Sequence, residues 1–543
     1  MARSHRFDAD HIEMKDVESL QSYVTDGRIH LHLRGFLGLM LKNSPEVQLS
    51  RMNVYTAANQ VTSSNAPFDP LLLANFTSQR SVTPLFFGGG FSSGGGGGSG
   101  GGTGGTGAGG ASVILPQTIS SLTQNTGLTF SELLPTGQTF STTFNGTRSS
   151  GDFYTYPAVF GSLAFNLTQP LLQNRTNLQA RGPLMAAREL LLVTSDESEA
   201  SIGEALATAG RSYWQAVQAR DTIGVREGTL DLAQKSYERD KMALDLGALA
   251  SLDIYQSQTQ VAERKRDLIE AQYNYRIALD GLRHFIGADL TPQLRALDLV
   301  LDDDASATPA RSEVLLFDQA LAKAKATRPE FHAVEGRLHI DELNRRIARD
   351  SLLPSLNVNL TGGSSGPSFN QGGIIGGSGG VPAVPYPSYT ETLRQVLGFS
   401  FPSYGLGVQM NLPFRNSAAK ARLSDALVSR VKDQYQKRAL EQTIALDVRQ
   451  AIDSIELADA SVTAAKTTRD FARKNVDAEQ QKYQLGSITV FELLDSQNRL
   501  ANAENALLQA YVTYQEAYIA YQRATWTLLD GLGIIVEIPK PPR

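Results

Sequence analysis

Few side chains in this sequence stand where they could do chemistry, and most of those are carboxylates beside sharp turns. Glu492 and Asp495 lie three residues apart just beyond Leu485-Gly486, and that spacing puts both on one face of a helix. Asp253 holds the equivalent place beyond Leu246-Gly247. Carboxylates at the start of a helix complement the partial positive charge of its N-terminal end, so their plainest role is structural. His30 and His32 are the one close pair among the 7 histidines; on an apolar-patterned segment they read as ordinary side chains rather than metal ligands. The glycine runs lack the Lys-Ser/Thr ending of a phosphate-binding loop. With 0 cysteines, disulfides, thiolate metal sites and a cysteine nucleophile are excluded. No catalytic constellation emerges, so no enzymatic activity, cofactor or metal is expected.

The elements that must hold these carboxylates are unusually long. Helical periodicity runs from about Asn177 to Leu244, breaks at Gly247 and resumes from about Leu252 to Phe285. The order recurs later: a helix up to Gln484, a break at Gly486, and a helix from about Val490 to Leu529. Each first member is close to 70 residues, or roughly 100 Å at about 1.5 Å per residue, too long for a globular domain. Ala503, Ala510, Ala517 and Ala524 recur every seven residues, as do Leu507, Tyr514, Tyr521 and Leu528, the signature of a left-handed coiled-coil seam. Ala271 and Ala278, with Leu268, Tyr275 and Leu282, carry the same seam earlier in the chain.

Other segments alternate in the manner of strands with two unlike faces. They are Leu71 to Val82, Ser162 to Thr168, Ser355 to Thr361 and Tyr404 to Leu412. Shorter strand-like pieces, Leu128 to Leu133 and Thr139 to Phe144, fit either a sheet or an external loop. Helix is expected from Ile29 to about Ser64, with Ser44-Pro45-Glu46 as a start signal, and again from Arg328-Pro329-Glu330. Gly88 to Gly110 is almost entirely Gly, Ser and Thr, a flexible loop by composition.

The two halves are copies. Leu246-Gly247, Ser257-Gln258, Ala262, Leu268, Ala271, Tyr275 and Ala278 return as Leu485-Gly486, Ser496-Gln497, Ala501, Leu507, Ala510, Tyr514 and Ala517. The offset is constant at roughly 240 residues, far beyond the 20–50 of solenoid repeats. The organisation expected is an arm over 1–27, a first repeat over 28–290 with a Gly-rich loop at 83–157, and a linker over 291–313. A second repeat follows over 314–531, with a Gly/Pro-rich loop at 362–402, and then a tail over 532–543.

The formal net charge of −5 argues against a nucleic-acid partner, since no basic excess exists to neutralise phosphate. No apolar run of about 18 residues is present, so no transmembrane helix is expected; the polar, charged start of the chain shows no signal-peptide core. Two strands per half make four per chain, too few to close a barrel, and a sheet in lipid must close. Three chains would supply twelve, an allowed even number.

With its paired turns, its strand-closing Leu167-Thr168-Gln169-Pro170-Leu171-Leu172 and its duplicated order, the chain resembles the TolC-like outer membrane efflux protein family from about Gly27 to Leu532. The resemblance implies a mixed, mainly α fold: a coiled-coil α-helical barrel continuous with a transmembrane β-barrel, completed as a homotrimer in the outer membrane. It implies an export channel for small molecules or proteins, working with a periplasmic adaptor and an inner-membrane pump and embedded in outer membrane lipid. Under it, Leu246, Gly247, Ala248, Leu249, Leu485, Gly486, Ser487 and Ile488 form the adaptor-contacting tips. Asp253, Glu492, Asp495 and Tyr483 would ring the pore constriction, where carboxylates favour cations. Where related channels pair a Tyr and an Arg to hold the closed state, Tyr483 matches the Tyr, but Ile488 replaces the Arg, so closure is expected to lean on apolar packing by Leu249 and Ile488. The alternative is a non-channel periplasmic coiled-coil adaptor or structural protein; an adaptor would need a lipoyl-like or small β-barrel domain between its helices.

Overall fold

The computed structural model describes residues 24–25, 28–85, 117–152, 157–246, 253–287, 298–307, 314–368, 388–485 and 487–528. In chain order the elements are β1 (Val24–Thr25), β2 (Arg28–Leu31), α1 (Leu33–Asn43), α2 (Pro45–Ser63), β3 (Leu71–Leu85), β4 (Gln117–Leu133), β5 (Thr139–Gly151) and β6 (Ala158–Pro170). Then come α3 (Leu178–Asp245), α4 (Asp253–Phe285), β7 (Asp298–Leu301), α5 (Phe317–Thr327), α6 (Pro329–Asp350) and β8 (Ser355–Ser368). The chain continues with α7 (Tyr389–Leu397), β9 (Pro402–Asn411), α8 (Ser417–Gln484) and α9 (Val490–Ala524). A single 3₁₀ turn, Ala66–Phe68, precedes β3. The chain divides into a unit of residues 1–63, 185–343 and 426–543 and a unit of 64–184 and 344–425.

In the first unit the heptad expectation holds. Ala503, Ala510, Ala517 and Ala524 are all buried, and so are Leu507, Tyr514, Tyr521 and Leu528. Ala510, Tyr514, Ala517 and Tyr521 of α9 pack with Ile444, Val448, Ala451 and Ile455 of α8 and with Ala320 and Ala324 of α5. A second cluster joins Leu206, Tyr213 and Val217 of α3 to Phe36, Leu37 and Met40 of α1. Fully burying a Leu or Ile is worth about 1.5–3 kcal/mol, so these stripes hold the long helices side by side. The long helices fall close to their expected bounds, but the expected helix from Ile29 does not. Arg28–Leu31 is a strand, pairing antiparallel with β1 and parallel with β7. Its alternate residues Ile29 and Leu31 are buried while Arg28 and His30 are exposed, and helix begins only at Leu33. The expected linker 291–313 thus contributes β7 to a three-stranded sheet.

The second unit overturns the count of four strands. Its sheet has six, in the order β3-β4-β5-β6-β8-β9, with every neighbouring pair antiparallel. The pieces at 128–133 and 139–144 belong to β4 and β5, which lie between β3 and β6, so the expected Gly-rich loop 83–157 contains two full strands. Likewise the expected loop 362–402 begins as the end of β8 and holds the helix α7. Gly88 to Gly110 lies outside the described residues.

Register separates the sheet's two faces. One row runs Glu132, Phe140, Leu167, Leu360, Leu406 across five strands, and the next on the same face runs Leu72, Phe130, Thr142, Phe165, Gly362, Tyr404. The opposite face carries Asn75, Gly127, Asn145, Ser162, Ser365 and then Ser131, Ser141, Asn166, Thr361, Gly405. Successive side chains on a strand point to opposite faces, so one face is mainly apolar and the other is rich in amides, hydroxyls and glycine, with Leu71, Leu73 and Phe160 among its apolar exceptions. The edge strands β3 and β9 are exposed along their described side chains.

Candidate functional site at the helical turns

The second turn is built by its cap. Thr489 is the N-cap of α9, its backbone N–H donating to Glu492 Oε2 (2.9 Å) and its hydroxyl accepting from the Glu492 N–H (3.4 Å). This reciprocal capping box satisfies two N–H groups that the helix itself leaves unpaired. Asp495, one turn on, forms an ion pair with Arg499 at 2.6 Å, an i,i+4 contact along the helix surface. Asp495 also lines a groove with Tyr255, Gln256, Phe491, Leu494 and Asn498. Leu246 and Leu485, the last described residues before each break, are 83% and 81% exposed. Ser487 is exposed and Ile488 half-buried. Asp253 opens α4. Gly247, Ala248, Leu249 and Gly486 lie outside the described residues, so of the expected apolar pair at the tips only Ile488 can be placed.

Tyr483 does not stand alone. Its hydroxyl donates to Asp240 Oδ1 at 3.0 Å, and Ser257 donates to the other carboxylate oxygen, Oδ2. Asp240 is 0% exposed. The Arg239 guanidinium lies 3.6 Å from Asp240 Oδ1 and sits over the Tyr483 ring, 4.4 Å from its centroid. One buried carboxylate on α3 thereby ties α4 through Ser257 and α8 through Tyr483. Burying an ion costs several kcal/mol unless it is paired and hydrogen-bonded, and here two hydroxyl donors and a guanidinium supply that compensation. Separating α8 from α3 breaks the Tyr483 bond and takes one of its two hydroxyl donors from the buried carboxylate.

Sequence reasoning found Tyr483 and missed Asp240 and Arg239, which sit in a polar helical stretch with no periodic cue. Ser257 was visible as a repeated residue, yet its counterpart Ser496 donates instead to the Leu493 carbonyl (2.9 Å), so the two copies diverge at this position. Around the cluster, Arg264 bonds Asn498 across to α9, and Asp267 gathers Arg264 at 3.2 Å and Arg266 at 2.9 Å. His30 and His32 face Asp302 and Asp303 at 3.1 and 3.0 Å. No group of three or more potential metal ligands is assembled among the described residues.

Comparison with known proteins follows the same outline. Residues 134–288 and 320–525 match the profile described as outer membrane efflux protein. The sequence is 22% identical over 296 residues to outer membrane protein TolC of Escherichia coli K12, covering 54% of this chain and 55% of that protein, so the alignment spans about half the relative's length. The fold resembles the Campylobacter jejuni CmeC outer membrane channel, with a TM-score of 0.59 and 13% identity over 95% of this chain and 90% of that one. It also resembles the open state of the Neisseria gonorrhoeae MtrE outer membrane channel, with a TM-score of 0.58 and 16% identity over 91% and 89%.

Proposed function

The chain belongs to the outer membrane efflux protein family, and from that premise we propose that it is an outer membrane channel exporting small molecules or proteins through the periplasm and outer membrane. It works as a homotrimer, with a periplasmic adaptor and an inner-membrane pump. The observation that carries this reading is the sheet of six described strands, with one mainly apolar face, one uncharged and mainly polar face, and two open edges. An open edge in hydrocarbon leaves backbone groups unpaired at several kcal/mol each, so the sheet has to close with copies of itself. Three copies give eighteen strands rather than twelve, still an even number. Barrel diameter grows roughly linearly with strand number, making the pore about 1.5 times wider than a twelve-stranded one. Exposed apolar side chains on α4 and α8, among them Ile269, Tyr273, Ile277, Val428, Val431 and Tyr435, support contact between protomers.

The tips at Leu246–Leu249 and Leu485–Ile488 meet the adaptor; the exposure of Leu246 and Leu485 supports this. Tyr483, Asp240 and Ser257 form a latch holding the entrance closed, and Asp253, Glu492 and Asp495 form carboxylate rings at the constriction. The repeats over 28–290 and 314–531 supply six similar halves around one axis. An adaptor has no use for a sheet with a hydrocarbon-facing side, which disfavours that alternative. The purified protein should migrate as a heat-dissociable trimer, be recovered with outer membranes and conduct ions in a planar bilayer. A monomer in the periplasmic fraction without conductance would refute the channel.

A further inference from the structure

On the apolar face of the sheet, three glycines pair in register across adjacent strands: Gly146 with Gly161, and Gly161 with Gly366. The helix α7 lies in the trough they leave. A Cβ at Gly161 would stand 2.7 Å from Thr392 Cγ2, and one at Gly366 would stand 2.7 Å from the Thr392 carbonyl oxygen. Both are too close for any side chain, so the helix reaches the sheet only because these positions are glycine. Thr392 and Val396 are buried in the trough. Phe399, just past the helix, stacks on Phe165 of the same face, with ring centroids 6.4 Å apart and planes 8° from parallel.

The rest of α7 has two characters. Leu393 and Leu397 remain 43% and 60% exposed, while Glu391 and Arg394 form a 3.2 Å ion pair on the polar side. A helix with one apolar and one charged side suits the boundary between hydrocarbon and headgroups.

The charges of the sheet fall into the same frame. Its strands hold three charged residues, Arg80, Glu132 and Arg148, and register puts all three on the apolar face. Arg148 pairs with Val159, near the start of β6 and two positions from Gly161; Arg80 pairs with Leu122, two positions from Gln124, the partner of Arg148. Glu132 lies at the other end, beside Phe140 and Leu167. The two arginines thus share the end of the sheet that α7 covers, and neither takes part in an ion pair among the described residues. An arginine on a lipid-facing barrel surface costs about 2–4 kcal/mol at the bilayer midplane but only about 0–1 near the interface. Its planar fork matches phosphate oxygens bidentately.

We propose that α7 is an interfacial helix moored outside the barrel and that, with Arg80 and Arg148, it forms a docking surface for phosphorylated acyl lipids of the outer leaflet. This rests on the barrel reading above. The test uses the full trimer in nanodiscs of phosphatidylcholine doped with bis-phosphorylated lipid A or its dephosphorylated form, with retained lipid counted by native mass spectrometry. Retention of the phosphorylated form should exceed that of the dephosphorylated form at least tenfold. The Arg80→Gln/Arg148→Gln variant should lose that preference while keeping wild-type conductance. Equal retention of both forms, an unchanged preference in the variant, or displacement of the lipid by millimolar inorganic phosphate would overturn the proposal. In a second arm, Leu397→Trp should gain fluorescence quenching from acyl-brominated lipid relative to the wild type; no gain refutes the interfacial helix. A chain that neither trimerises nor conducts would refute the channel itself, a result distinct from normal conductance without lipid preference.

Discussion

Asp240 shows how much one buried side chain can hold. Its two oxygens are satisfied from two other helices, by Ser257 and by Tyr483 at 3.0 Å. A hydrogen bond to a charged group contributes about 1.5–3 kcal/mol, and about 1.4 kcal/mol is tenfold in an equilibrium. Tyr483→Phe should therefore shift the closed–open balance about 10–100-fold towards open, read as higher open probability in single-channel recordings. If open probability stays at the wild-type value, the latch is not there. Glu492 and Asp495 have local duties, one in the α9 cap and one beside Arg499, so their charge is partly committed. Glu492→Gln with Asp495→Asn should still lower cation preference, seen as a smaller reversal potential in a salt gradient; an unchanged potential would leave them a purely structural role.

Between elements, two contacts respond to pH in the same direction by different means. Burial, then the neighbouring Asp433 carboxylate, pushes Asp341 up to about 6, against a favourable contribution from Arg430. A carboxyl raised in the folded state favours its proton there, so stability falls as pH climbs from the unfolded carboxylate range through about 6. Asp433→Asn should accordingly raise the melting temperature at pH 7.5 and change it little at pH 5, by scanning calorimetry; equal shifts at both would rule out the shared-proton contact between α6 and α8. His32 acts with the opposite charge type. Its hydrogen bond to Asp303 raises its pKa, so that pair stabilises below the ordinary imidazole range and is lost as pH rises through the folded-state value. The same aspartate accepts from the Tyr213 hydroxyl at 2.9 Å and the Leu33 N–H at 2.7 Å. Acidic residues that follow β7 thus fasten the start of α1 to α3.

For the whole molecule, strand number is the consequential quantity. The six described strands leave β3 and β9 at the edges of the sheet, and closure of the proposed trimer would pair β9 of one copy with β3 of the next. The absence of cysteine gives a clean background for testing this. Asn75→Cys combined with Gln409→Cys, both on the polar face, should give covalent trimers with a bifunctional thiol reagent in intact membranes, while either change alone should not. Persistent monomers in the double variant would break the closure.

Local periodicity carried the long helices, their seams, the two turns and four of the six strands of the large sheet, because a helix stripe or a clean alternation is written in neighbouring residues. The hairpin β4–β5 was seen only in fragments. Gln124 and Thr126 interrupt the apolar row of β4 on either side of Asn125, and a strand weakly patterned in sequence is recognised only by the ladders it makes with β3 and β5. The strand Arg28–Leu31 depends on a parallel partner at Asp298–Leu301, and four residues are too few to announce themselves. Tyr483 stood out by its position beside a turn, but its partner lies 243 residues away. The seat of α7 needs glycines from three strands to meet in one row. Sequence alone determined which segments are helix or strand and where they turn back; tertiary structure decided which distant polar groups meet, since pairing, unlike periodicity, is a property of two segments at once.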